Sequence, residues 1–241
     1  MQLPVFRSEQ ATINSNLIAA SSSIFGPSKI GEGTILDPWV IIGYPTRSKT
    51  KKIMSSIKQN TTLERYYDQE SSGTTLGSNN HIRACTTIYE NTSLDDNVET
   101  GTNVVIREKC SIGAGSIIGS GSILDGDVKI GQNARIQSNN FLPPKIQIGD
   151  NVFLGPGVSF ANDIYPVSNR LTGTTVKNHA VIGISAIILP GITIGEKSVI
   201  AAGALVTKDV PDGAVMFGSP AVQVMTRDEY NQKKEIYERK K

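Results

Sequence analysis

The chain has 241 residues, with 24 lysines and arginines against 22 aspartates and glutamates, two histidines and two cysteines. This near-neutral balance provides no strong field for nucleic acid or an anionic membrane surface, so neither is expected as a partner. The two cysteines, Cys85 and Cys110, form no CxxC pair, which excludes a disulfide scaffold and a cysteine-built zinc site.

The hydropathy pattern predicts a soluble protein rich in strands. The opening segment MQLPVFRSEQ has no basic region followed by an apolar one, and the apolar run 180–195 is shorter than the ~18–20 residues that a membrane span needs. We therefore expect a soluble, cytoplasmic protein. The chain has 29 Ile and 17 Val against 12 Leu, and β-branched side chains favour strands.

Aliphatic residues recur at every sixth position in three segments of the chain. The 25 positions are Ile24, Ile30, Leu36 and Ile42; Leu76, Ile82, Ile88, Leu94, Thr100, Ile106, Ile112, Ile118, Leu124, Ile130, Ile136, Leu142, Ile148, Leu154 and Phe160; and Val176, Ile182, Ile188, Ile194, Ile200 and Val206. Of these, 23 are Ile, Leu or Val, although those types supply only 58 of the 241 residues. Composition alone does not produce such a ladder.

A period of six fits neither an amphipathic helix nor a half-buried strand. Each hexad reads instead as a short strand followed by a turn, with glycine frequent one or three residues after the aliphatic position. We predict an all-β fold, a parallel β-helix in which three hexads form one coil of a triangular prism. The ladder predicts about eight coils and a prism on the order of 40 Å long.

Two segments interrupt the ladder, and a third follows it. Residues 43–75, with a basic run at 47–58, are predicted to be an inserted loop that is either a solvated excursion or a contact for a partner or phosphate. Residues 161–175 are predicted to be a second loop, which lines the binding face. Residues 226–241 are predicted to be a helix that starts at a Thr226–Glu229 capping box and covers the end of the prism, which leaves residues 1–225 as the β-helix domain.

Several repeat motifs resemble those of the hexapeptide-repeat acyltransferases. They are IGAGSI, IGSGSI, IGDNVF, ILPGITIGEKSVIAAGALVTKDVP and GSPA, and the resemblance covers about residues 24–222. It implies a left-handed parallel β-helix, an obligate homotrimer, acetyl-CoA bound between subunits, and no metal.

The segment VFLGPGVSFANDIYP (152–166) resembles the branch of this family that N-acetylates amino sugars on nucleotide carriers. That branch carries an F-x-N-D-x-Y-P element, which implies that Asn162 lies beside the sugar amine and that Asp163, Tyr165 and Arg170 of the same loop serve catalysis or substrate binding. An amide both accepts and donates hydrogen bonds, so Asn162 can position a nucleophile without removing a proton.

The family often has T-G-H-N-V in an earlier coil, where the histidine is a candidate general base. This chain has Thr102 in that place, and a hydroxyl without an activating partner is not a base near pH 7. The chain therefore either lets a neutral amine attack directly or has lost activity. Glu108 and Asp163 are the alternative bases.

The donor site is predicted at the last coils. Ala201, Ala202 and Gly203 have no bulk to block a pantetheine arm, and Lys208 is a candidate contact for the coenzyme phosphates. Three hexads per coil place Thr102 and Ser120 on one face, and Ala202 returns to it after the second insertion. Val222 follows Pro220-Ala221, where the family commonly has Arg or Lys.

The two histidines are expected to be exposed or interface side chains, and the two cysteines are expected to be structural. His81 and His179 do not match the three-histidine zinc site of the related carbonic anhydrase branch, and neither cysteine has a histidine in its hexad. The predicted function is acetyl transfer from acetyl-CoA to the amine of a nucleotide-linked amino sugar, in glycan or polysaccharide assembly. An O-acyltransferase, an acyl-carrier-protein-dependent acyltransferase and a catalytically silent scaffold or binding protein remain the alternatives.

Overall fold

The computed structural model describes residues 5–55, 61–167 and 170–239. It is a parallel β-solenoid whose chain passes repeatedly through three sheets, in the order B, C, A. Sheet A contains β2 (Ser23–Ile24), β5 (Ile41–Tyr44), β8 (Thr87–Tyr89), β11 (Val105–Ile106), β14 (Ile123–Leu124), β17 (Phe141–Leu142), β20 (Ser159–Phe160), β23 (Ile187–Ile188) and β26 (Leu205–Val206). Sheet B contains β1 (Thr12–Ile13), β3 (Lys29–Ile30), β6 (Thr75–Leu76), β9 (Ser93–Leu94), β12 (Ser111–Ile112), β15 (Lys129–Ile130), β18 (Gln147–Ile148), β21 (Thr175–Val176) and β24 (Thr193–Ile194). Sheet C contains β4 (Ile35–Leu36), β7 (His81–Ile82), β10 (Glu99–Thr100), β13 (Ile117–Ile118), β16 (Arg135–Ile136), β19 (Phe153–Leu154), β22 (Val181–Ile182), β25 (Val199–Ile200), β27 (Ala214–Gly218) and β28 (Ala221–Thr226).

The period of six is confirmed by burial and by strand register. The second residue of each two-residue strand of the ladder is buried, while nearly all of the first residues face outward. Strands one coil apart pair in parallel at an offset of eighteen residues, as Val105 does with Ile123. Equivalent aliphatic side chains therefore stack along the inside of the prism and form one continuous core.

Tight corners join the short strands, and neighbouring coils leave little space there. A Cβ added at Gly155 would lie 2.6 Å from the backbone nitrogen of Ile184 in the next coil. Asparagine or glycine occupies many of the corner positions with positive φ, as at Asn103 (φ 57°) and Gly121 (φ 70°). The chain thus uses the residues that best tolerate left-handed backbone where the corner requires it.

The prism begins one coil earlier than the aliphatic ladder predicts. Ile13 of β1 pairs with Ile30, and Arg7 bridges to Ile24, both at an offset of seventeen residues rather than eighteen. This slip of one residue removes the first coil from a strict period of six. Ile18, which bridges to Leu36, returns to the regular offset.

The first insertion is a pair of helices where a loop was predicted. Helix α1 (Arg47–Met54) and helix α2 (Leu63–Glu70) follow β5, and we call residues 45–74 the helical insert. The fully buried carboxylate of Glu90 fastens the insert to the prism, because it accepts hydrogen bonds from Lys49 Nζ (2.6 Å) and from the backbone N–H groups of Thr46 (2.9 Å) and Ser72 (2.6 Å). Residues 56–60, which include part of the predicted basic run, lie outside the described residues.

The carboxyl-terminal helix is confirmed. Strands β27 and β28 form an antiparallel hairpin at the end of sheet C, and helix α3 (Arg227–Arg239) follows it. Glu229 accepts the Thr226 N–H at 2.7 Å, as the capping box predicts. Residues 240–241 of the predicted segment lie outside the described part of the chain. No described helix has the length and apolar character to cross a bilayer.

Candidate functional site

The corner between sheets A and B differs chemically from the other two corners. At the B–C corner the residue after the inward aliphatic is mostly glycine, namely Gly31, Gly77, Gly113, Gly131, Gly149 and Gly195. At the A–B corner the same position carries larger side chains, which include Tyr89, Arg107, Asp125, Pro143 and Leu189. Both insertions also leave the prism at this corner, after β5 and after β20. The A–B corner is therefore the edge with the most side-chain chemistry.

Asn162 and Asp163 lie at the A–B corner, where the 161–174 loop leaves the prism. The Ala161 N–H donates to the Ile188 carbonyl at 2.9 Å, so the loop starts in register with the next coil. Oxygen Oδ1 of Asp163 is inaccessible to solvent and has no hydrogen-bond partner among the described residues. Leaving a buried acceptor unsatisfied costs roughly 1–3 kcal/mol. An unsatisfied acceptor at this position suits a ligand that donates a hydrogen bond.

The middle of this loop, residues 164–167 and Arg170, is exposed in the single chain. Ile164, Tyr165 and Val167 are 62%, 82% and 101% exposed, and Arg170 is also exposed. Residues 168–169 lie outside the described part of the chain. The predicted substrate contacts Tyr165 and Arg170 therefore lie on the outer surface of the loop that carries Asp163.

Glu108 also lies at the A–B corner, three coils from Asn162 in the strand register. Its carboxylate pairs with Arg107 at 3.0 Å, and Arg107 also donates to Asp125 at 2.7 Å. Burial alone would lower the pKa of Arg107, but the hydrogen bond to Asp125 and the two carboxylate charges raise it above its usual value. Because Glu108 is held in this ion pair, about 14 Å from Asn162, the geometry does not favour it as the base.

Thr102 lies at a different corner, between sheets C and A. Its N–H donates to Ser120 Oγ at 3.1 Å, which confirms that Thr102 and Ser120 stack in adjacent coils. Backbone hydrogen bonds continue this column through Ser138, Pro156 and Ile184 to the corner that contains Ala202. Ala202 therefore returns to the Thr102 face as predicted, but five coils and about 24 Å away.

The small residues at 201–203 form the last turn of this column. The N–H groups of Ala201 and Gly203 donate to the carbonyls of Met216 and Ile184, both at 2.9 Å. The Ala202 N–H has no hydrogen-bond acceptor among the residues that the structure describes. A Cβ added at Gly203 would meet no atom within 4 Å. One backbone donor and an open space are thus available here.

Lys208 lies on the same coil as Ala202 but at the A–B corner, on the opposite edge of sheet A. Its side chain is exposed and forms no ion pair with a described residue. One chain therefore does not bring the predicted site residues together. It places Asn162, Asp163, Glu108 and Lys208 on one edge of sheet A, and Thr102, Ala201, Ala202 and Gly203 on the other.

The histidines lie away from both edges. His81 projects from the outer side of sheet C, where its Nε2 is 3.1 Å from Asp37 Oδ1, and His179 is exposed at the B–C corner. Within the described ranges no group of three His, Cys, Asp or Glu side chains could hold a metal ion. Burial raises the pKa of the Cys110 thiol to about 11, so this thiol is neutral near pH 7.

The outward row of sheet A is mostly apolar, because six of its nine residues are Ile, Val, Leu or Phe and only Ser23, Thr87 and Ser159 are polar. Ile123, Phe141 and Ile187 are 39%, 38% and 47% exposed, and Val105 and Leu205 are partly exposed in the same row. The equivalent row on sheet B is polar throughout: Thr12, Lys29, Thr75, Ser93, Ser111, Lys129, Gln147, Thr175 and Thr193. This row was not predicted from the sequence, although the residue before the aliphatic position in every third hexad shows the pattern.

Known proteins share these repeats. A family model described as bacterial transferase hexapeptide (six repeats) matches residues 127–162 and 173–208. The galactoside O-acetyltransferase of Lactococcus lactis is 39% identical over 85 residues, which are 32% of this chain and 41% of that protein. A 2,3,4,5-tetrahydropyridine-2,6-dicarboxylate N-acetyltransferase of Staphylococcus aureus is 40% identical over 89 residues, 36% of each chain. The chain thus spans about two fifths of the length of these two relatives.

A longer match comes from Escherichia coli. Its galactoside O-acetyltransferase is 30% identical over 152 residues, which are 58% of this chain and 75% of that protein. Both stretches matched by the family model consist of regular coils of the observed prism. The chain belongs to the hexapeptide-repeat transferase family.

Proposed function

We propose that this protein transfers an acetyl group from acetyl-CoA to the amine of a nucleotide-linked amino sugar. The observation that carries the proposal is the buried, unpartnered Oδ1 of Asp163 next to Asn162. An amine can donate to the Asn162 amide oxygen, and it can donate to Asp163 Oδ1 as well once the exposed residues of the loop move aside and open that atom to the ligand. Both contacts would hold the nitrogen in position for attack on a thioester.

A trimer would complete the site. Apolar surface on sheet A favours burial against other copies, and threefold packing with sheet A turned inward sets the A–B corner of one copy beside the C–A corner of the next. Rotation about the threefold axis does not shift a copy along that axis, so the same coil lies at the same height in all three copies. The 161–174 loop of one copy would then face residues 155–157 of its neighbour, and the exposed Ile164, Tyr165 and Val167 would be covered.

The donor would bind near the end of this shared cleft. Ala202 and Lys208 lie on the same coil at opposite edges of sheet A, so the trimer brings Ala202 of one copy beside Lys208 of the next. Ala202 lies two coils, or about 10 Å, from the height of Asn162. Its free N–H can therefore donate to the pantetheine arm behind the thioester, and the Lys208 ammonium group can face a coenzyme phosphate. Thr102 lies three coils, or about 14 Å, from the height of Asn162, so we assign it no role at the reacting amine.

The reaction needs little proton abstraction when the acceptor is a neutral amine. The amine nitrogen attacks the thioester carbon, the carbon–sulfur bond breaks, and the coenzyme A thiolate or water takes the released proton. No described imidazole lies at either edge of sheet A. An alcohol depends more strongly on a base, so the arrangement favours transfer to nitrogen over transfer to oxygen.

Transfer to a sugar hydroxyl is the second candidate, because the relative with the longest reported match is a galactoside O-acetyltransferase. In that case Asp163 would have to act as the base. Coenzyme A release, followed with a thiol reagent, separates the candidates when nucleotide-linked amino sugars are compared with their hydroxyl analogues and with free galactosides.

Two variants test the residues. Asn162→Ala should lower kcat/KM at least about tenfold, since it removes a contact to the nucleophile. Asn16→Ala, at an exposed asparagine of the first coil, is the matched control and should leave the rate unchanged. Release of coenzyme A only with hydroxyl acceptors, or with none of the panel, would contradict transfer to an amine.

A further inference from the structure

Trp39 is a bulky residue in a backbone conformation that suits small or short polar residues. Its φ is 66°, and its side chain is 51% exposed at the C–A corner. The equivalent corner positions in later coils are Cys85, Asn103, Gly121, Asn139, Gly157, Ser185 and Gly203. Nothing described in its own chain stacks on the indole ring. A strained and exposed aromatic residue points to a contact outside the chain.

The helical insert starts on the same coil, at the other edge of sheet A. Lys49 and Ile53 hold α1 to its own chain, through Glu90 and through burial. Arg47, Lys51 and Met54 follow one another at i, i+4 and i+7, so they form a stripe on a different side of α1. All three are exposed, and Met54 is 76% exposed. Neither Arg47 nor Lys51 has an ion-pair partner among the described residues.

We propose that Trp39 of one copy packs against the Arg47, Lys51 and Met54 stripe of the neighbouring copy, so that the helical insert is an assembly arm of the trimer. This inference rests on the trimer of the proposed function, in which the A–B corner of one copy faces the C–A corner of the next. Because Trp39 and the insert belong to one coil, threefold symmetry places them at the same height.

The chemistry of the two surfaces is complementary. Guanidinium and ammonium groups bind to the face of an indole ring, and the methionine thioether makes favourable contacts with aromatic edges. Asp37, two residues before Trp39, adds a negative charge to the surface that would face the basic stripe. Leu17 and Ile35 on the same end of sheet C are 48% and 36% exposed, so the patch around Trp39 has further apolar surface to bury.

The chain contains a single tryptophan, so fluorescence excited at a wavelength that its seven tyrosines do not absorb reports on Trp39 alone. We expect the wild-type trimer to emit at shorter wavelength than a free tryptophan analogue and to be several-fold less sensitive to acrylamide quenching. Lys51→Glu should shift the emission to longer wavelength and restore quenching. Arg65→Glu, the same charge reversal at an exposed position of α2, should change neither.

A second variant keeps the test independent of the insert. Trp39→Asn places at this corner the residue that Asn103 and Asn139 already provide, so the prism should keep its circular dichroism. Removal of the ring should raise the protein concentration at which the trimer dissociates by at least about tenfold, measured by light scattering. An unchanged dissociation concentration would overturn the inference.

The remaining outcomes separate this inference from the function. A trimer with solvent-exposed Trp39 overturns the assembly role and leaves the shared acetyltransferase site intact. A wild-type protein that is a monomer in solution would overturn both the contact of Trp39 and the site shared between copies. If a nucleotide sugar quenches Trp39 in the wild-type trimer while Lys51→Glu has no effect, the ring belongs to the acceptor site and the proposed contact is wrong.

Discussion

Replacement of Asp163 by alanine should stabilise the protein while it lowers activity. The substitution removes a buried oxygen for which no described group supplies a donor. The cost of such an unsatisfied acceptor is roughly 1–3 kcal/mol, and this cost disappears in Asp163→Ala. For a chain of this size about 1 kcal/mol corresponds to 2–4 °C in Tm, so the variant should melt roughly 2–12 °C above the wild type. In this variant the substrate loses its hydrogen bond to Asp163 Oδ1, so kcat/KM should fall at least about tenfold.

A satisfied aspartate provides the control. Asp150 Oδ1 accepts the Gln132 N–H at 2.7 Å, so Asp150→Ala should lower Tm, by the loss of about 0.5–1.5 kcal/mol. Differential scanning calorimetry and the coenzyme A release assay measure both effects on the same samples. The reasoning is refuted if Asp163→Ala melts below the wild type, or if the two variants change Tm in the same direction.

Three further predictions concern the insert, the packing face and the donor site. Glu90→Gln should lower the free energy of unfolding by about 2–3 kcal/mol, because it removes the buried carboxylate that pairs with Lys49. The loss is not larger because the Lys49 ammonium group is partly exposed and water can solvate it. Burial alone would raise the pKa of Glu90, but the hydrogen bonds from Lys49, Thr46 and Ser72 leave it below the ordinary value of 4.5. The difference in Tm between wild type and Glu90→Gln should therefore be constant above about pH 4.5 and should narrow as the pH falls below that value. A Tm difference that grows in acid would contradict the lowered pKa. Phe141→Asp should convert the proposed trimer to monomers in light scattering without loss of circular dichroism, whereas Lys129→Asp on sheet B should leave the mass unchanged. A Phe141→Asp protein that still has the mass of a trimer would exclude sheet A as the packing face. Lys208→Ala should raise KM for acetyl-CoA about two- to fivefold with little change in kcat, and an unchanged KM would remove Lys208 from the donor site.

The ladder of aliphatic residues made the prism predictable, because each inward position is set by local spacing alone. The first coil was missed since Ile13 pairs with Ile30 at an offset of seventeen. The helical insert was missed because its two helices have eight residues each and depend on Glu90, which lies twenty residues beyond the end of α2. Contacts between distant segments leave no periodic signal in the sequence.

The site was only partly predictable. Spacing of eighteen residues, with allowance for the second insertion, correctly placed Ala202 in the column of Thr102. The same counting did not reveal that Arg107 holds Glu108, since this ion pair depends on side-chain geometry at the A–B corner. The burial of Asp163 Oδ1 likewise depends on three-dimensional packing that the spacing of residues does not encode.

Mixing two impaired variants tests most directly whether the two edges of sheet A meet between copies. Asn162→Ala impairs the A–B edge, and Ala202→Tyr blocks the C–A edge. Each should retain at most about a tenth of wild-type activity alone. Co-expression in equal amounts should give at least about a quarter of wild-type activity, because one interface in four then joins two intact edges. Activity no higher than that of the separate variants would show that each site lies within one chain and would contradict the account.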